Sequence, residues 1–273
     1  DAAIVDGTVF TIDMLHESTD FPPGTTRYTA GWRAVGASLS DVGAMGAMAI
    51  GTVAVYAAPS FEVDELEAFL EGATAVSEAV GAEYVGGDMD QHDEFTVASA
   101  AIGRTDDPVG RDGARPGDVV CVTGALGRTA AGVRAFESGE TDRGNDLFRF
   151  HPRVAAGRRL GASATAMMDS SDGLARSLHQ LAEASGVGFA IDGEAIPIAQ
   201  ALVDRVPAEK VLDSAVGFGE DFELVCTMDP TDVDAAASEL SVPLSVIGDV
   251  TGPEAGIELD GRPLPDSGYT HGG

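Results

Sequence analysis

The chain has 273 residues, 44% of them hydrophobic, enough to build a substantial core and, by length, two domains. Against 16 basic residues stand 45 acidic ones, a net charge of −29, and Lys210 is the only lysine. Apolar residues recur in every segment, which excludes disorder, and the absence of any basic patch excludes nucleic acid and anionic membranes as partners.

An acidic surface of this density is tolerable where molar salt shortens the Debye length to roughly 3 Å, so a salt-accumulating, halophilic setting is expected. Cys121 and Cys226 each lie in a short apolar run and are expected as buried thiols, with no CxxC spacing and no disulfide framework. No apolar run approaches the roughly 18 residues of a membrane span, and no signal peptide is visible, so a cytoplasmic protein is expected. The first residue is Asp1 and already belongs to a strand and its lead-in, so a preceding N-terminal segment is expected.

In chain order, residues 8–14 read as a strand. Residues 29–45 read as a helix carrying Trp32, Val35, Leu39, Val42 and Met45 at spacings of three and four. A strand over 48–56 ends at Pro59. A helix over 63–80 shows Leu66, Phe69, Leu70 and Val76 on one face, with Ser60 or Asp64 as its cap. Strands over 83–87 and 95–102 close this half. Residues 105–118 are rich in Gly, Pro and Asp and mark the boundary between a domain over 1–116 and another over 117–273. The second half reads as strand 119–123, helices 129–136 and 153–160, strand 165–169 and helix 174–185. Strands 188–191, 222–228 and 244–250 follow, with a helix over 233–240. Helices interspersed with antiparallel-looking strands predict an α+β fold in each half.

With so many surface acids, position is what distinguishes a functional one. Asp13, Asp41, Asp88, Asp169 and Asp172 stand at ends of apolar elements beside small residues. In Met168-Asp169-Ser170-Ser171-Asp172-Gly173 a strand ends and a helix begins, so two carboxylates and a hydroxyl share one crevice; the plain alternative is that Ser171 or Asp172 caps the helix. Gly86-Gly87-Asp88 alone is no more than a strand-ending turn, whereas Asp41 sits inside an apolar helix, where a carboxylate is costly unless paired or metal-bound. Acids with almost no lysine become a nucleotide-triphosphate site when Mg²⁺ lies between carboxylates and phosphates. No GxxxxGK[ST] occurs. The five histidines, His16, His92, His151, His179 and His271, are scattered and suggest no shared base.

The ordered set Thr11-Ile12-Asp13, Gly31-Trp32-Arg33-Ala34, Leu39-Ser40-Asp41, Gly86-Gly87-Asp88, Gly124-Ala125-Leu126-Gly127, Met168 through Leu174 and Gly219-Glu220-Asp221-Phe222-Glu223 resembles the thiamine-monophosphate kinase family through nearly the whole chain. That family groups with aminoimidazole ribonucleotide synthetase and selenophosphate synthetase. The resemblance implies a two-domain PurM-like fold, an N-terminal α+β domain that dimerises and a C-terminal α+β domain, with ATP between them. It implies Mg²⁺-dependent phosphorylation of thiamine monophosphate by ATP, with several Mg²⁺ ions held by Asp1, Thr11, Asp13, Asp41, Asp88, Asp169 and Asp172. Of these, Asp41, Asp88 and Asp172 would be catalytic. Gly87, Arg111 and Ser171 would contact ATP; Asp20, Glu220 and Tyr269 would face the substrate.

Three positions depart from the pattern. Asp20 stands where bacterial members have a substrate-contacting His, Ile12 replaces a hydroxyl residue, and the tail lacks the last aromatic. Other enzymes of the superfamily remain rivals. A carbamoyl dehydratase would end in Cys where this chain has Gly273, and a selenophosphate synthetase would carry a Cys or selenocysteine near its N-terminus. A non-catalytic metal-binding module is the alternative of another class.

Overall fold

The computed structural model describes residues 1–268. The first half is a five-stranded sheet of β1 (Ala3–Val5), β2 (Thr8–His16), β3 (Met48–Ala58), β4 (Glu83–Gln91) and β5 (Thr96–Arg104), in the order β1-β2-β5-β3-β4. A short α1 (Glu17–Asp20) precedes α2 (Arg27–Ala44), and α3 (Val63–Ala79) follows β3. Strand side chains alternate between faces, so Val9 and Thr11 of β2 are buried under the helices while Phe10, Ile12 and Met14 face outward. Val53, Val55 and Val85 continue that outward face, which is apolar and uncovered in the single chain.

The second half is a seven-stranded sheet in the order β12-β11-β8-β10-β6-β9-β7, made of β6 (Val119–Thr123), β7 (Ala164–Asp169), β8 (Gly188–Ile191), β9 (Leu224–Met228), β10 (Leu244–Thr251), β11 (Ile257–Leu259) and β12 (Arg262–Pro263). Its helices are α4 (Arg128–Glu137), α5 (Thr141–Phe148), α6 (Val154–Leu160), α7 (Leu174–Ser185), α8 (Gln200–Val203), α9 (Ala208–Gly217) and α10 (Val233–Ser238). Cys121 and Cys226 lie opposite each other on β6 and β9 as buried free thiols. Among the described residues no helix is long and apolar enough to cross a membrane.

Helix α2 joins the halves. A Cβ on its Gly31 would lie 2.2 Å from the Phe69 carbonyl oxygen of α3, and one on Gly157 of α6 would lie 1.9 Å from the Gly43 carbonyl oxygen, so both contacts need glycine for backbone-to-backbone approach. Ala44 of α2 shares a core cluster with Leu160, Met167 and Leu224, while Val154 of α6 belongs to the first-half core.

The main helices and strands fall where hydrophobic periodicity places them, and several details differ: β4 continues to Gln91, so Gly86-Gly87-Asp88 lies within a strand and not in a strand-ending turn, and α1, α8, β11 and β12 are additional short elements. The α3 N-cap is Glu62, with no side-chain cap bond, in place of Ser60 or Asp64. The α7 N-cap is Gly173, which has no side chain, so Ser171 and Asp172 do not occupy the capping position. Strand β9 starts at Leu224, later than periodicity suggests, because Glu220 and Phe222 adopt φ of +58° and +54°, outside any strand conformation. Helices α5 and α9 fall in segments whose charged and small residues mask the apolar stripe.

Candidate active site

Three elements and the chain start bring acids to the junction of the two sheets. Thr11 and Asp13 alternate onto the inner face of β2; Ser38, Ser40 and Asp41 lie along α2; Asp169 ends β7. Asp1, Asp41 and Asp169 each offer a carboxylate oxygen, all within 4.8 Å of one another. The Thr11 hydroxyl donates to Asp41, the Ser40 hydroxyl to Asp169, and the Ser38 hydroxyl to Asp13 at 2.9 Å. Arg111 forms an ion pair with Asp1 and donates to the Gln180 side chain at 3.2 Å. A cleft of 720 Å³, lined by Asp1, Thr11, Ile12 and Arg111 among others, opens beside this group.

Crowding buried carboxylates makes each a weaker acid. Burial, then the charges of Asp169 and Asp13, push Asp41 well above its ordinary range. Burial raises Asp169 to about 6, with the Ser40 hydrogen bond opposing. Asp13 is raised by burial, offset in part by Ser38. Two buried oxygens, Asp1 Oδ2 and Asp169 Oδ1, have no hydrogen-bond partner. Buried acceptors are ordinarily satisfied, so three converging carboxylates with two unpaired oxygens fit a hard divalent cation such as Mg²⁺.

Beside the cluster, the segment after β7 is stitched to the segment before β9. Glu220 N donates to the Ser171 carbonyl at 2.6 Å and Ser170 N to the Glu223 carbonyl at 2.7 Å. Asp221 is buried and accepts from the backbone N–H of Gly127 and, at 2.9 Å, of Thr129, at the start of α4. Burial lifts its carboxyl to about 6, against the pull of those two hydrogen bonds. Glu223 takes the Arg153 guanidinium and the Thr123 hydroxyl, the latter at 2.6 Å. Glu220 is paired with Arg33 of α2 at 2.7 Å. A second cavity, of 600 Å³, lies between the two halves here, lined by Glu17, Phe21, Pro22, Arg27, Val133 and Phe218 among others.

The remaining expected site residues are placed less closely. Gly87 is in the row Asp13–Ser99–Ala54–Gly87 that crosses four strands, three strand spacings or about 14 Å from Asp13. A Cβ on Gly87 would lie 1.8 Å from the Ala54 carbonyl oxygen, so the sheet itself requires this glycine. Asp88 is exposed, in register with Val55 and outside the three-carboxylate group, and lines with Gly87, Tyr56 and Tyr84 a 400 Å³ pocket against α3. Asp172, partly buried, follows Ser171 in the segment after β7 and is not one of the three. The Asp20 carboxylate accepts from His16 N and the Thr19 hydroxyl, both at 2.7 Å, a local turn-holding role. Tyr269 lies outside the described residues. Arg33 and Asp221 take part although sequence placed them only within the resembling motifs and gave them no role, and Ser38 and Arg153 take part without having stood out. The signal for them was a polar residue inside an apolar helix or motif.

Two α+β sheets sharing one helix, with a cluster of carboxylates suited to a divalent cation at their junction, define the class of the chain. The family profile "AIR synthase related protein, N-terminal domain" matches residues 1–105, and that of its C-terminal domain matches residues 115–260. A thiamine-monophosphate kinase from Halobacterium salinarum is 62% identical over 99% of this chain and 93% of its own length. A thiamine-monophosphate kinase structure from Stenotrophomonas maltophilia superposes with a TM-score of 0.87 at 30% identity, covering 93% of this chain and 85% of that one. "AaThiL complexed with AMPPCP and TMP" matches with a TM-score of 0.87 at 28% identity, over 99% of this chain and 89% of that one. The chain therefore belongs to the AIR synthase related family and, within it, to the thiamine-monophosphate kinases.

Proposed function

We propose that the chain transfers the γ-phosphoryl group of ATP to the phosphate of thiamine monophosphate, giving thiamine diphosphate and ADP in a Mg²⁺-dependent reaction. The observation that carries this reading is the group of three carboxylates, two of them with an unpaired buried oxygen, which suits divalent cations and sits beside a cleft with one arginine. Mg²⁺ bound there would neutralise charge on the transferring phosphoryl group. Asp1, Asp41 and Asp169 would hold it together, with Thr11, Asp13 and Asp172 as further ligands of the bound Mg²⁺ ions. Ser40 and Thr11 fix the carboxylates that receive their hydroxyls. Arg111 and Ser171 would face the nucleotide phosphates. Gly87 would contact ATP, and Asp88, outside the three-carboxylate group, would serve as a catalytic ligand to a further Mg²⁺ ion on the nucleotide. The acceptor phosphate is ionised near neutral pH, so alignment and charge neutralisation replace a general base.

Thiamine monophosphate would enter the cavity between the halves, where Phe21 and Phe218 offer apolar and aromatic surface, and Glu220, two residues beyond Phe218 in the chain, would supply an acid for its cationic or amino-bearing part. Asp20 and Tyr269 are the further residues proposed to contact the substrate. The domain boundary is placed at 116/117, between the last strand of the first sheet and the first of the second. The bare apolar face of the first sheet supports a homodimer. The acidic surface and two free thiols support a cytoplasm rich in salt and reducing.

In molar KCl with ATP and Mg²⁺, ADP release that requires thiamine monophosphate, with two coupled diphosphate signals in the phosphorus NMR spectrum, is the expected result. ADP release indifferent to the acceptor, or nucleotide held equally well after chelation, would overturn it.

A further inference from the structure

Arg33 is a fully buried arginine, 0% exposed, on the helix that both halves share. An arginine is seldom sequestered unless its charge is paired and its donors are used. Here Nη1 donates to the Phe148 carbonyl at 3.0 Å and Nη2 to Glu220 Oε2 at 2.7 Å, while Nε is buried without a partner. The guanidinium carbon stands 4.4 Å from the centre of the Phe148 ring and 5.6 Å from those of Phe150 and Phe222. Phe150 and Phe222 are themselves stacked at 4.1 Å, so the cation is walled by rings that belong to the second half.

Its acid partner is held in an uncommon conformation. Glu220 has φ of +58°, and Phe222, two residues on, has +54°. Non-glycine residues keep such angles only where surrounding contacts over-determine them. Those contacts are present: the Glu220 N–H goes to Ser171, its carbonyl accepts from the Thr129 hydroxyl at 2.6 Å, and one carboxylate oxygen goes to Arg33. The other oxygen, Oε1, has no hydrogen bond among the described residues, and the Glu220 side chain is 30% exposed while Arg33 is 1%. One oxygen is thus fixed from behind by a buried cation and the second is left for solvent or ligand.

We propose that Arg33 is the positioning residue for Glu220: by clamping Oε2 across the junction of the halves it presents Oε1 to the acceptor substrate and sets affinity for that substrate and not for ATP. This rests on the reading of Glu220 as the acid facing thiamine monophosphate. Lysine cannot replace Arg33 in that work, since a single ammonium lacks the planar fork that serves Phe148 and Glu220 together.

The test is a cycle of Arg33→Lys, Glu220→Gln and the double variant, with kcat and both KM values measured in molar KCl. Arg33→Lys should raise KM for thiamine monophosphate about tenfold with KM for ATP changed less than twofold, and should add less than twofold in the Glu220→Gln background. Glu220→Gln with an unchanged acceptor KM would sink the underlying reading of Glu220. A raised KM in Glu220→Gln beside an unchanged one in Arg33→Lys, equal effects on both substrates, or full additivity would overturn the positioning role alone. Should Arg33→Lys not fold, Phe148→Leu withdraws the ring under the guanidinium and leaves the charge pair. A selective rise in acceptor KM there supports the role, and no rise overturns it.

Discussion

The Ser40 hydroxyl, carried by the helix of the first half, donates to Asp169 at the end of a strand of the second half. It is the bond that orients a carboxylate whose other oxygen is buried without a partner. Ser40→Ala should lower Mg²⁺ affinity about tenfold, in the range found for groups that orient metal ligands, with the fold retained. Calorimetric titration of Mg²⁺ into the nucleotide-bound protein reads this out, and an unchanged affinity would remove Ser40 from the site.

The acidity of Asp169 gives a pH signature with a definite sign. Its carboxyl is raised from 3.8 to about 6 by burial, so the folded protein holds the proton more tightly than the unfolded chain. Its contribution to stability is therefore full below about pH 4 and is lost as pH rises through about 6, by at most about 3 kcal/mol. In chelator, the stability difference between the wild type and Asp169→Asn should shift by that amount between pH 4 and 7. With Mg²⁺ present the trend reverses, because the cation competes for the ionised form. Denaturant unfolding at several pH values measures both arms, and a pH-independent difference in chelator contradicts the burial argument.

Part of the carboxylate group is legible in the sequence because strand ends and helix faces follow from periodicity. Asp13, Asp41, Asp88, Asp169 and Asp172 stood out as acids at the ends of apolar elements, and two of the five, Asp41 and Asp169, meet in the three-carboxylate group, whose third member is Asp1. Local spacing carries no register, however. The row that puts Gly87 three strands from Asp13, and Asp88 on the side of Val55, exists only once β5 and β3 are interposed. The late start of β9 was equally hidden, since the left-handed backbone at Glu220 and Phe222 is stabilised by contacts from α2, α4 and the segment after β7 and not by those residues' own preferences. Arg33 figured in the sequence only as part of the Gly31-Trp32-Arg33-Ala34 motif; its partner Glu220, far along the chain, explains it.

Asp41 illustrates a site that is destabilised for its function. Its carboxyl is raised by burial and by the charges of Asp169 and Asp13. Asp41→Asn removes one of three crowded charges, so in chelator near pH 7 it should stabilise the fold by about 1–2 kcal/mol. Turnover should nonetheless fall at least a hundredfold, since a neutral amide is a poor Mg²⁺ ligand. Paired measurements of unfolding and rate decide it: a variant destabilised in chelator, or one with near-normal turnover at low Mg²⁺, contradicts this account.

The bare face of the first sheet sets apolar contact against charge repulsion. Ile12, Val85 and Met14 are 75%, 64% and 59% exposed, a density of large apolar side chains that a lone soluble chain rarely presents to water. Two copies pairing through that face would bury it isologously, yet each copy brings a net charge of −29. In molar salt the Debye length of roughly 3 Å hides that repulsion, and at 0.1 M it grows to about 10 Å. Light scattering should therefore give a particle of twice 27.9 kDa in molar KCl, dissociating as KCl is lowered at constant Mg²⁺. Val53→Glu, which sets a carboxylate on the centre of the face, should give a folded monomer at every salt concentration. A wild-type monomer in molar KCl at micromolar concentration, or a dimer indifferent to Val53→Glu, would place the contact elsewhere.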